Sequence, residues 1–205
     1  MRATETLMAE HEVILSVLDC VERLADQADR LGALDTASAA EALDFLSGFA
    51  DRCHHGKEED QLFPALVSRG LPRNVGPLAV MLSEHELGRA EVAGMRTAVA
   101  DAQRSLAGSV SRFGEHARAY VELLRQHIDK ENGVLFPMAD GMLTQADHAE
   151  LEQAFERMER DPGHADHERY LELARTLCAR LGVEPKVRGS VSAGSCCGHH
   201  GGGCR

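Results

Sequence analysis

Two short stretches carry most of the reactive side chains in this 205-residue chain. "HHGKEEDQLFP" over 54–64 and "QHIDKENGVLFP" over 126–137 each place a glutamate four residues after a histidine, His54 with Glu58 and His127 with Glu131, and each ends in Leu-Phe-Pro. Lys57 and Lys130 also match when the two are aligned. At almost the same offset, "EHE" at 10–12 matches "EHE" at 84–86, which adds His11 and His85. On a helix, four residues make one turn plus about 40°, so the histidine and glutamate of each pair can share a face. Two carboxylates gathered in an apolar interior repel each other and lose their hydration unless a cation compensates them. Two bridging carboxylates and two imidazoles per ion supply four protein donors each. An oxo or hydroxo bridge makes five and leaves a position open on each ion for an exogenous ligand. This mixture, without thiolate, suits a pair of irons and tolerates manganese or zinc. Cys53 is turned about 100° from His54 and is not counted among the ligands. His55, turned by the same angle, is expected outside the site.

Helices must position these groups. Long runs rich in Ala, Leu, Glu and Arg, with 4% aromatics, no tryptophan and hardly any alternating segment, predict an all-α fold. Apolar residues recur at three- and four-residue spacing from about 4 to 28 (Leu7, Ile14, Leu18, Val21) and from about 35 to 66, with Pro64 kinking or ending the second helix. "SRGLPRNVGP" over 68–77 is a connection. A third helix runs to about 104 and a fourth from about 105 to 138. Four consecutive helices with short connections pack most simply as an up-down-up-down antiparallel bundle. His85 lies about 20 residues before the turn near Ser105 and His127 about 22 after it, so at about 1.5 Å per residue they share a level. His116 and Tyr120 fall on the inward face of the fourth helix, too far along the axis to be ligands. Lys57, Lys130 and Glu59 stand beside the ligands as candidate outer partners. Gly88, one turn after His85, would thin the wall of the site, which either admits a small ligand or lets the helices pack closely.

With His11, "HHGKEEDQLFP", "SEHELGR" and "QHIDKENGVLFP" in view, residues 4–140 resemble the hemerythrin-like family of HHE cation-binding domains. The resemblance implies a four-helix bundle around a non-haem di-iron centre held by His11, His54, Glu58, His85, His127 and Glu131. It also implies chemistry with O2, NO or peroxide, or iron storage or sensing. Arg89 stands where the oxygen-carrying members have a second histidine, and His-x3-Glu replaces their His-x4-Asp on the fourth helix. These departures favour a nearly symmetric centre, and peroxide or NO chemistry, iron handling or redox sensing over reversible O2 carriage.

The rest of the chain sets limits. A net charge of −11 and a pI near 5.4 speak against nucleic-acid or anionic-membrane surfaces, and no stretch is long and apolar enough to span a bilayer. A small diatomic ligand or peroxide is the expected partner. The first residues carry charge at once without an apolar h-region, which predicts a cytoplasmic location. Six cysteines without an export signal are expected as reduced thiols. Residues 1–140 form the expected bundle domain. An extension over 141–182 holds two shorter amphipathic helices, about 145–160 and 166–181, separated by "RDPGH". Residues 183–205 form a Gly/Cys/His-rich tail read as disordered, in which Cys196, Cys197, His199, His200 and Cys204 offer donors for one zinc or soft metal ion.

Overall fold

The computed structural model describes residues 2–160 and 167–186, so the tail's cysteines and histidines lie outside the described residues. All regular structure among the described residues is helical. Helix α1 spans Ala3–Leu31, α2 36–68, α3 Pro77–Gln103, α4 109–142, α5 Gln145–Arg160 and α6 His167–Leu181. Helix α1 packs against α2 and α4, and α3 does the same from the other side. Helix α6 lies against α1 and α2.

The two Leu-Phe-Pro sequences do not end their helices. In α2 the helix continues to Ser68, and in α4 to Met142. A proline ring clashes with the carbonyl one α-turn back and donates no hydrogen bond to it. Here the preceding turn is widened to π-helix, over Glu58–Leu62 and Glu131–Leu135, and the Phe63 and Phe136 N–H groups donate to the carbonyls of Glu58 and Glu131, five residues back. The widened turn accommodates the proline and lets the helix run on. Helix α2 carries a second π-helical stretch, Leu46–His55. Within it, Gly48 makes room for α6, since a Cβ there would sit 2.0 Å from the Tyr170 hydroxyl oxygen.

The apolar core forms two clusters, and the polar constellation lies between them along every long helix. Leu7 belongs to one cluster and Val13 to the other, with His11 between them. Likewise His54 and Glu58 fall between Ala50 and Leu62, His85 between Met81 and Met95, and Glu131 between Ile128 and Leu135. Each fully buried Leu or Phe contributes about 1.5–3 kcal/mol, and these layers keep the polar layer dry.

Helix α5 starts with a reciprocal cap: the Thr144 N–H donates to Asp147, whose own N–H donates to the Thr144 hydroxyl. Arg69 also pairs with Asp147, and the Arg69 guanidinium together with the Thr144 donors lowers its carboxyl to about 2 from an ordinary 3.8. A depressed carboxyl stabilises the fold fully above its unfolded value and loses that contribution as pH falls through the folded one. Helix α5 should therefore loosen between about pH 4 and pH 2 in the wild type, and Asp147→Asn should abolish that step. Following the Thr144 and Asp147 amide resonances through the titration checks this.

Candidate metal centre

The six residues singled out by the repeat meet in one buried layer, none more than 1% exposed. The imidazoles pair across helices: His11 Nε2 is 3.0 Å from His54 Nε2, and His85 Nε2 is 3.1 Å from His127 Nε2. Each carboxylate reaches both pairs. Glu131 lies 3.2 Å from His11 with one oxygen and 3.3 Å from His127 with the other. Glu58 places one oxygen 3.7 Å from His54 and the other 3.5 Å from His85. This crossing is what two bridging carboxylates require.

The outward nitrogens are fixed just as regularly. His54 Nδ1 donates to Glu10 at 2.9 Å and His127 Nδ1 to Glu84 at 2.9 Å. His11 Nδ1 donates to the Asn132 side-chain oxygen at 2.9 Å, and His85 Nδ1 to Glu59 at 2.6 Å. A neutral ring that donates from Nδ1 turns the lone pair of Nε2 inward, the tautomer a metal ligand needs. Sequence reading had Glu59 as a candidate partner but missed Glu10, Glu84 and Asn132. The repeat did hold them: Glu10 and Glu84 are the leading residues of the two "EHE" motifs, and Asn132 stands where the other copy has Glu59. Lys57 pairs with Glu10 and Lys130 with Glu84, as expected for outer partners. The phenylalanines of Leu-Phe-Pro stack on ligand rings of the opposite copy, Phe136 on His11 and Phe63 on His85.

His55 departs from expectation. It is buried, stacks on His85 with centroids 3.8 Å apart, and can share one ion with Glu58, His85 and His127. The physical reason is the π-helical stretch ending at His55. Its i to i+5 hydrogen bonds turn the chain through less than the 100° per residue of an α-helix, so His54 and His55 flank the site together. The matching position in α4 is Ile128, so the donor set is not symmetric. His116 also departs. It sits partly exposed against Glu91 on α3, off the inward face. Cys53 belongs to neither group of potential ligands.

The electrostatics are those of a site built for cations. None of the four oxygens of Glu58 and Glu131 has a hydrogen-bond partner in the structure. Burial, then the neighbouring Glu131, pushes the Glu58 carboxyl well above the usual range. Glu131 is also opposed by burial, yet His127 and His11 hold it well below that range. Two buried carboxylates this close cannot both ionise without positive charge between them. Burial also lowers His54 to about 4 against the pull of Glu10. Burial and then the His85 charge lower His55, so both rings stay neutral and able to coordinate. Two groups, His11–His54–Glu58–Glu131 and His55–Glu58–His85–His127, each bring their ligand atoms within 4.8 Å of one another.

The family model of the hemerythrin HHE cation binding domain matches residues 2–139. The chain belongs to the hemerythrin HHE family. Comparison with curated proteins and with solved structures gave no match. A hemerythrin HHE domain binds metal cations, typically iron, and the orphaned carboxylate oxygens and neutral imidazoles here fit that role. The match ends just before α5, so both C-terminal helices lie outside it.

Beside the centre, a cavity of about 220 Å³ opens along α3, lined by His55, His85, Gly88, Val92 and Tyr120, with Asp51 and Arg89 among the lining residues. Arg89 is held by Asp51, Glu59 and Glu86. Tyr120 is buried, and its hydroxyl is pushed up by burial and then by the Asp51 charge, so it stays protonated. No helix is long and apolar enough to cross a membrane among the described residues.

Proposed function

We propose that the protein is a cytoplasmic non-haem di-iron protein that binds O2, NO or peroxide at this centre. In this reading His11 and His54 hold one iron. His85 and His127, joined by His55, would hold the other, and Glu58 and Glu131 would serve both. The four long helices form an up-down-up-down bundle over residues 1–140, and 141–182 is an extension attached to it. The observation that carries the reading is the crossed placement of the two carboxylates, each facing both histidine pairs with no other partner. The bound irons would supply redox chemistry and open coordination positions. The chain's part is to orient the rings through Glu10, Glu59, Glu84 and Asn132, and to exclude bulk water with the two apolar layers. It also admits a small ligand through the cavity at Gly88. Tyr120, lining that cavity with its proton retained, would offer a hydrogen bond to an entering ligand.

A second reading has its own support. Lys57 joins Glu10, the partner of His54, to Glu159 on α5, and His167 on α6 faces the same Glu10 at 3.4 Å. Such a chain of contacts suits an iron-storing or iron-sensing module in which the C-terminal helices report occupancy of the centre.

Metal content per chain, with the ultraviolet-visible spectrum before and after peroxide, tests both. About two irons with charge-transfer bands in the near ultraviolet, and sustained peroxide consumption, support the first reading. Iron lost on peroxide treatment together with a change in helix content supports the second, and a folded chain that stays iron-free after reconstitution removes both. Gly88→Leu tests the route of entry. A Cβ there meets Tyr120 at 3.4 Å, so the longer side chain fills the cavity. Iron content should stay at the wild-type level while azide or NO binding slows about tenfold, the effect of ~1.4 kcal/mol on a barrier.

A further inference from the structure

Cys20 and Cys178 are not used by the metal centre. They lie 158 positions apart in sequence, yet their sulfurs are 3.5 Å apart where α6 crosses α1. Both are free thiols sealed in the larger apolar cluster. A disulfide needs the sulfurs at about 2.05 Å, so closure asks for about 1.5 Å of approach between side chains already facing each other. The Cys178 sulfur also points at the Ser16 carbonyl, 3.9 Å away on the same helix as Cys20, which keeps it on the α1 side of α6.

We propose that Cys20 and Cys178 form a reversible oxidation site, closed by hydrogen peroxide into a disulfide that clamps α6 to α1. The Cys178 sulfur attacks the peroxide O–O bond, taking one oxygen as a sulfenic acid while the other leaves as water. The Cys20 sulfur then attacks the oxidised sulfur, and its hydroxyl leaves as a second water. Two thiols lose two electrons and two protons, peroxide is reduced to two waters, and one S–S bond forms. With the Cys178 thiol facing the Ser16 carbonyl as donor, the Cys20 thiol is free to donate to the Cys178 sulfur, which lowers the Cys178 thiol and makes it the first to react. Access comes from α6 itself. Beside Ala174, Leu177 and Leu181 in the shared apolar cluster, its attachment rests on Tyr170 seated over Gly48, on Arg169 and Arg180 paired with Asp44 and Glu41, and on the Lys186 N–H donating to the Ser16 hydroxyl at 2.8 Å. A C-terminal helix held this way opens more easily than the four long helices, and closing the disulfide removes that opening. The same helix carries His167 to Glu10, so the oxidised form also fixes the outer partner of His54.

This inference does not depend on metal occupancy and is tested at the thiols. The full chain as purified, with its metal content measured in the same sample, is treated with hydrogen peroxide, alkylated, digested and mapped by mass. The expected product is a cross-linked peptide pair joining Cys20 to Cys178, 2 Da lighter than the two thiols and reversed by dithiothreitol. Closing so long a loop should raise the melting temperature by about 10 °C, and the rise should be absent from Cys20→Ala and Cys178→Ala. Peptide mapping of the unsubstituted chain decides the matter even if either variant folds poorly. Replacing Cys196, Cys197 and Cys204 with serine prevents a tail disulfide from being mistaken for this one. If Cys20 and Cys178 both stay open to alkylation, or Cys178 advances to sulfinic acid without a cross-link, the proposal is overturned.

Discussion

Glu58→Gln should weaken the iron-bound protein and strengthen the metal-free one. With metal, the substitution affects both positions at once, because one oxygen faces His54 and the other His85: one is left a neutral amide oxygen and the other an NH2 group that cannot coordinate. Bound iron should fall to less than half the wild-type content, and Glu131→Gln should behave alike because it faces His11 and His127. His55→Ala touches only the position with His85 and His127, so it should lower iron content less than either glutamate variant does. His116→Ala, changed on a partly exposed histidine paired with Glu91, should leave it unchanged. Without metal the sign reverses. Glu58 and Glu131 are fully buried with no hydrogen-bond partner on any oxygen, and Glu131 makes ionisation of Glu58 harder. A buried polar group left unsatisfied costs about 1–3 kcal/mol, and Glu58, whose carboxyl is pushed well above its usual range, must take up a proton to be buried at neutral pH, a cost that an amide of the same shape avoids. Chelated Glu58→Gln should therefore be about 1–2 kcal/mol more stable than chelated wild type in urea. If chelated wild type is the more stable of the two, the pair is not frustrated, and the case that these residues are arranged for a cation fails.

The candidate ligands were legible in the sequence because the chain states them twice. Agreement between residues 54–64 and 127–137 separates His54, Glu58, His127 and Glu131 from the chain's other histidines and acids. The two "EHE" motifs do the same for His11 and His85. The rest was hidden where the α-helical period fails. Reading Leu46–His55 as α-helix turns His55 away from the site, whereas the π-helix brings it in. Reading Pro64 as a kink or an end misses the widened turn through which α2 runs on, as α4 does past Pro137. His116 shows the converse error. Its period is inward, but its ring packs onto α3 at Gly94, where a Cβ would meet it at 2.5 Å, and pairs with Glu91 partly exposed. The outer partners needed tertiary information, since Glu10 serves His54 and Glu84 serves His127, each on a different helix.

Lys57→Met should cost the fold about 3 kcal/mol, while Lys130→Met should cost less than about 1 kcal/mol. The two lysines occupy matching positions of the repeat, and each pairs with the glutamate that orients a ligand histidine. What differs is the cover. Helices α5 and α6 bring Glu159, Phe155 and His167 over the Lys57 side, and the lysine side chain is fully buried with its ammonium 5.6 Å from the Phe155 ring centre. The Lys130 side chain keeps 40% of its exposure. An exposed pair gains little over its hydration. Removing one partner of a buried pair leaves the other charge uncompensated, here Glu10, whose carboxyl is held far below its usual range by His167, His54 and Lys57 against the penalty of burial. The expected loss sits at the lower end of the range for broken buried pairs because His54 and His167 still face Glu10. Urea denaturation of both variants, with and without chelator, measures the difference. Lys57→Met should also loosen α6, seen as faster amide exchange over Tyr170–Leu177, with no such change in Lys130→Met. Equal stability losses in the two variants would mean that the C-terminal helices do not seal this side of the centre, and the link from His54 to α6 would lose its structural basis.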